Sequence, residues 1–68
     1  MKLNRDTKHS VKIGDCLRFS DGSVYTVEEI VEVMNSVCFT IRDHADGRAI
    51  YAYPSSKMYG AEILPKEN

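Results

Sequence analysis

The chain has 68 residues and a mass of 7.7 kDa, room for one small domain. Its 43% hydrophobic and 28% charged residues place it with globular rather than disordered chains. No apolar run nears the roughly 18 residues of a membrane span, and no apolar signal segment follows Met1. A multidomain enzyme, a membrane-spanning helix and a coiled coil are excluded.

Nine basic and ten acidic residues leave a formal net charge of -1, which argues against a strong electrostatic partner such as duplex DNA. The charges are unevenly spread. Residues 1–20 carry Lys2, Arg5, Lys8, Lys12 and Arg18 against Asp6 and Asp15, while most acids follow later. Residues 1–10 are polar, with Leu3 as an apolar exception, and follow neither a helical nor a strand period. They are expected to form a flexible polar N-terminal arm.

Val11 and Ile13 alternate before Gly14-Asp15 interrupts, and Leu17 and Phe19 alternate after it. This pattern predicts an entry segment, a turn and a strand. Asp21-Gly22 predicts a tight hairpin turn whose two central residues both take positive φ. Residues 24–34, VYTVEEIVEVM, are rich in β-branched residues and predict a long strand rather than a helix. Its alternation breaks at Glu28-Glu29, where a bulge resets the phase. After an Asn35-Ser36 turn, VCFTIRD alternates cleanly over 37–43. Asp46-Gly47 marks a third turn, and RAIYAY over 48–53 a fourth strand ended by Pro54. A loop over 55–60 leads to a last short strand at 61–64, ended by Pro65, with 66–68 as a tail.

The expected fold class is therefore all-β: five strands, about ten residues apart, curling into a small closed barrel over 11–65. The expected core is Leu17, Phe19, Val27, Ile30, Val37, Phe39, Ile41, Ile50 and Ile63.

Gly14-Asp15, the pair Leu17 and Phe19, the Asp21-Gly22 turn and Tyr25-Thr26-Val27 together resemble the opening of an SH3-like small barrel, the broad group that includes KOW and Tudor modules. The resemblance covers residues 11–64 and implies a binding module. The chain has no Trp and no Gly-Lys-Gly segment after its first hairpin, so neither proline-rich peptides nor ribosomal contacts are implied.

His9, Cys16, Cys38 and His44 are a zinc inventory without zinc spacing: no Cys-x-x-Cys or His-x3-His pair exists. No metal and no cofactor are expected. The cysteines are read as free thiols in a reducing, cytoplasmic setting. Cys38 and His44 flank one strand and are the nearest approach to a nucleophile–base pair, but no third group orients them. Glu28 and Glu29 are adjacent and would point to opposite faces, so they form no acid dyad. A barrel this small is filled by its own side chains. The protein is not expected to be an enzyme.

What remains is surface. Tyr51 and Tyr53 share one strand face, with Arg48 and Arg42 nearby and Tyr59 across a loop, a combination favoured at protein interfaces. The primary expectation is a small accessory or regulatory protein, of a size usual for phage or mobile elements, docking on a larger protein through Tyr51, Tyr53, Tyr59, Arg48 and Arg42. The alternative is a nucleic-acid-binding barrel using Lys2, Arg5, Lys8, Lys12 and Arg18 with stacking tyrosines. Homo-oligomers through an exposed edge strand are a third possibility.

Overall fold

The β-branched runs become strands wherever a turn residue lets the chain reverse. A computed structural model describes residues 1–55 and 57–66. The strands are β1 (Cys16–Arg18), β2 (Val24–Val33), β3 (Ser36–Asp43), β4 (Ala49–Ala52) and β5 (Glu62–Leu64), preceded by a 3₁₀ turn at Lys8–Ser10. All pair antiparallel in one sheet, in the order β4-β3-β2-β1-β5. Ser56 and the expected tail residues 67–68 lie outside the described residues.

The expected phase break in residues 24–34 is a bulge. The β2–β3 register shifts between Val27 and Glu29, which leaves Glu28 as the extra residue. A second irregularity explains Gly14-Asp15. Gly14 N–H donates to Val27 C=O at 2.8 Å, and Val27 N–H donates to Asp15 C=O at 2.8 Å, so two residues oppose one. Gly14 takes φ 97°, which a side chain would resist.

The turns differ from the two-residue Asp-Gly form. Phe19 N–H donates to Ser23 C=O and Gly22 N–H to Phe19 C=O. Only Gly22 has positive φ in that loop; Asp21 does not. The Asp43–Arg48 loop likewise closes on Gly47 alone. Each loop is thus a longer turn completed by one left-handed glycine. The tight two-residue turn is elsewhere, at Met34-Asn35 rather than Asn35-Ser36, between the paired Val33 and Ser36.

Met34 holds φ 56° at that turn and is 97% exposed. A left-handed conformation costs an L-residue about 1–2 kcal/mol, and nothing buried offsets it. Met34→Gly is expected to stabilise the protein by about 0.5–1 kcal/mol, after allowing for the greater freedom of glycine in the unfolded chain. Thermal unfolding checks this; an unchanged or lower Tm would show that the turn is relaxed with methionine in place.

The core comprises Leu17, Val27, Val37, Phe39, Ile41 and Ile63, as expected, together with Leu3, Val11 and Ala61. Phe19 and Ile30 are half-buried against it. Ile50 departs from expectation and is 47% exposed. The reason is topological: β4 ends the sheet, and among the described residues no further strand continues past it to cover its inward side.

Two features of the expected outline change. First, residues 1–10 do not project as an arm. Leu3 is fully buried, and the backbone of Met1–Leu3 lies antiparallel along β5. Leu3 N–H donates to Ala61 C=O at 2.7 Å, Gly60 N–H to Leu3 C=O at 2.8 Å, and Ile63 N–H to Met1 C=O at 2.8 Å. Asn4 Oδ1 then accepts from the N–H groups of Asp6 and Thr7, turning the chain toward buried Val11. Second, the sheet does not close into a cylinder. β4 and β5 are its two ends and do not pair. Pro54 and Pro65 stop these short strands by removing amide donors. The β5 edge is covered by Met1–Leu3; among the described residues no strand covers the β4 edge.

One buried carboxylate ties this arrangement together. Asp15 is buried, and its Oδ2 accepts from Lys12 N–H at 2.9 Å while Oδ1 accepts from Lys66 N–H at 3.1 Å. It thereby joins the entry loop to the segment leaving β5.

Candidate protein-docking surface

The register divides the solvent face of the sheet into two halves. One cross-strand row runs Leu64, Cys16, Thr26, Arg42 and Ala49. Its surroundings are polar. Arg18 Nη2 donates to Glu62 Oε2 at 2.7 Å. Arg42 Nε donates to Glu28 Oε2 at 2.7 Å, and its Nη1 to Gly47 C=O at 2.6 Å. The hydrogen bond from Arg42 holds the Glu28 carboxyl below its usual range, and that from Arg18 does the same for Glu62. Arg42 is raised in return, chiefly by its hydrogen bond to Glu28. These are exposed pairs, and their worth to stability is small.

The other half is apolar. Beyond the bulge, Glu29 lies opposite Thr40, which lies opposite Tyr51; next along, Val31 lies opposite Cys38. Period-2 alternation puts Val31, Val33, Cys38, Tyr51 and Tyr53 on the same outward face. They line a shallow depression of about 310 Å³. Tyr51 is 77% exposed and Tyr53 66% exposed, beside Val31 and Val33, each about half exposed.

The inward side of β4 opens too. Ile50 and Ala52 face Phe19, Tyr25 and Met58 across a groove of about 360 Å³, with Lys57 and Asp21 also on its lining. The Phe19 and Tyr25 rings meet edge to face, 5.4 Å apart at 89°. Asp21 is held below its usual pKa, first by the hydroxyl and then by the amide of Ser23, both donating to its Oδ1. The groove marks the seam that a closed barrel would have sealed, so the expectation of a wholly filled interior does not extend to this end of the sheet.

The expected interface residues separate. Tyr51 and Tyr53 stand together on β4. Arg48 is exposed at the head of the strand, with Nε 3.9 Å from Asp46 Oδ2. Arg42 lies on β3 but is held by Glu28 and Gly47. Tyr59 packs against the core, because the turn after Ser55 folds inward. Val31 and Val33 were not anticipated. Their signal was the bulge, which flips the parity of every later residue in β2.

The basic residues do not all remain available to a phosphate. Arg18 is taken by Glu62, and Lys2 lies opposite Glu62 on the strip beside β5. Arg5 and Lys12 are exposed, and Lys8 is half-buried.

Cys38 and His44 do not meet. His44 Nε2 is 2.6 Å from Thr26 Oγ1, and Thr26 Oγ1 is 3.6 Å from Cys16 Sγ. Cys38 sits beside Val31 in the apolar half, only 8% exposed. Cys16 is half-buried, and both thiols are free. The two should therefore react at different rates with an aromatic disulfide reagent: Cys16 promptly, Cys38 only as the sheet edge opens. Loss of the fast phase in Cys16→Ser, with the slow phase kept, checks the assignment; a single phase for both thiols would overturn it.

Among the described residues, no group of three or more His, Cys, Asp or Glu side chains is gathered to hold a metal, and no helix is long and apolar enough to cross a membrane. Comparison with protein-family models, curated proteins and solved structures finds no match to this chain.

Proposed function

We propose that this protein is a non-enzymatic protein-binding module, a small accessory or regulatory protein built on an SH3-like barrel left open at one seam. The observation that carries the reading is the state of β4. Two tyrosines stand mostly in solvent on an uncovered edge strand, with Val31 and Val33 exposed beside them. A large exposed apolar patch is disfavoured on a lone small domain and marks contact with another molecule. Tyrosine suits such contact because it supplies wide area at little rotamer cost and keeps a polar tip. Met34, left-handed and almost wholly exposed one residue after Val33, fits a patch kept at some expense to stability.

The test compares wild type with the Tyr51→Ala/Tyr53→Ala double variant, each used to capture proteins from the native host. A partner identified by mass spectrometry with wild type should be lost from the variant, while the variant keeps its Tm. Equal recovery by a folded double variant rejects this face. The nucleic-acid reading draws on Arg5, Lys8 and Lys12, since Arg18 is engaged by Glu62. It requires affinity for single strands that falls with salt by about 0.7 log units per phosphate contacted; such affinity, with no protein partner, would favour it instead.

A further inference from the structure

β4 offers a partner backbone as well as side chains. Asp43 N–H donates to Arg48 C=O at 2.8 Å, which makes Asp43 and Arg48 a bonded pair of the antiparallel ladder. The register then runs Arg42 to Ala49, Ile41 to Ile50, Thr40 to Tyr51 and Phe39 to Ala52. Bonded pairs alternate in such a ladder. Ile50 and Ala52 thus spend their backbone groups on β3, as does the C=O of Arg48, whose N–H goes to Asp46 Oδ1, while the N–H and C=O of Ala49 and Tyr51 point away from β3, to the uncovered edge. On one side of this edge lie Tyr51, Tyr53, Val31 and Val33; on the other lies the groove of Ile50, Ala52 and Met58.

We infer that the β4 edge takes up an extended segment of a partner protein as a sixth strand, one with apolar side chains alternating on both faces and acidic residues at its ends. The inference rests on the protein-binding reading above and names how the partner binds. An extended segment satisfies the outward N–H and C=O groups of Ala49 and Tyr51 and fills both apolar flanks at once; a helix would do neither. Charge selects the ends. Arg48 stands at the head of β4, and its side chain is 82% exposed. Lys57 lines the groove past the other end. Arg48 Nε lies 3.9 Å from Asp46 Oδ2, an exposed and weak pair for which an incoming carboxylate competes, while Asp21 on the groove keeps its charge and accepts from Ser23. Glu29, opposite Thr40 in the row that includes Tyr51, disfavours an acid at the centre of the incoming strand. A second copy of the chain fits less well, because antiparallel pairing of two β4 edges sets the Arg48 end of each against the Lys57 end of the other.

The probe is a short synthetic peptide of alternating valine and leucine, apolar on both faces when extended, with a glutamate at each end. Nuclear magnetic resonance of the full chain should show the Ala49 and Tyr51 amides protected from exchange on addition of the peptide. Exchanging the glutamates for lysines, or methylating alternate peptide nitrogens, should weaken binding. Ala49→Pro removes one outward donor and leaves both tyrosines, a place where an edge strand accepts proline; it should weaken the peptide roughly five- to tenfold. If that variant does not fold, the exchange measurement on wild type stands alone. No peptide binding at millimolar concentration, or binding that leaves the Ala49 and Tyr51 amides unprotected, overturns the inference. Protection that grows with protein concentration without peptide also overturns it, in favour of a second copy. These failures are separable from failure of the wider reading. A natural partner lost by Tyr51→Ala/Tyr53→Ala but kept by Ala49→Pro binds the face without adding a strand.

Discussion

Leu3→Ala is expected to lower the unfolding free energy by about 2–5 kcal/mol, the range for truncating a fully buried leucine. In a domain of this size that is a large part of the total, which rarely exceeds about 3–5 kcal/mol for so small a core. Leu3 is fully buried although it sits three residues from the start of a polar segment. Its backbone bonds both ways, to Ala61 and to Gly60, so its side chain enters the core at a fixed point. Truncation would leave a cavity among Val11, Ala61, Ile63 and their neighbours, and would loosen the strip that covers β5. Urea denaturation measures the loss. A change under 1 kcal/mol would mean that residues 1–3 are not held on the domain in solution. A second consequence separates this from ordinary core loss: with β5 uncovered, the variant should associate more at high concentration.

The second large effect is at Asp15. Asp15→Ala is expected to cost about 2–4 kcal/mol, because two backbone donors lose a charged acceptor in a buried place. Each carboxylate oxygen serves a different donor, Lys12 N–H and Lys66 N–H. Asn presents one acceptor oxygen and turns an NH₂ group toward the second donor, so Asp15→Asn should recover only part of the loss. Full recovery by Asn would show that a single hydrogen bond suffices. Paired denaturation curves decide this, provided their m-values agree, since a changed m-value would signal an altered end state rather than a weaker clamp.

Strand positions were legible because period-2 alternation needs no knowledge of neighbours. Leu17, Val37, Phe39 and Ile41 declared their inward side from spacing alone, and the interrupted alternation at Glu28-Glu29 announced a bulge before any partner strand was known. Turn chemistry was legible in place but not in kind. Gly22 and Gly47 mark where the chain reverses, yet loop length decided that one residue of each loop, not two, takes positive φ.

The candidate surface was half visible. Tyr51 and Tyr53 were named from their shared parity, and they stand exposed together. Tyr59 was grouped with them by sequence proximity, and the inward turn after Ser55 separates it. Val31 and Val33 join the patch only once the bulge phase is counted. Cys38 and His44 neighbour each other along the chain but not across the sheet, where His44 reaches Thr26 instead.

By itself, then, the sequence determined an all-β chain of five strands, their faces and the places where they turn, because these follow from backbone sterics and local alternation. Only the tertiary structure decided which edge is covered. That outcome depends on Met1–Leu3, some sixty residues away along the chain, taking the β5 edge that β4 would need for closure. Long-range pairing is a competition between edges that no local pattern records. Its result leaves Ile50 at the rim of a groove and, among the described residues, the β4 edge without a covering strand.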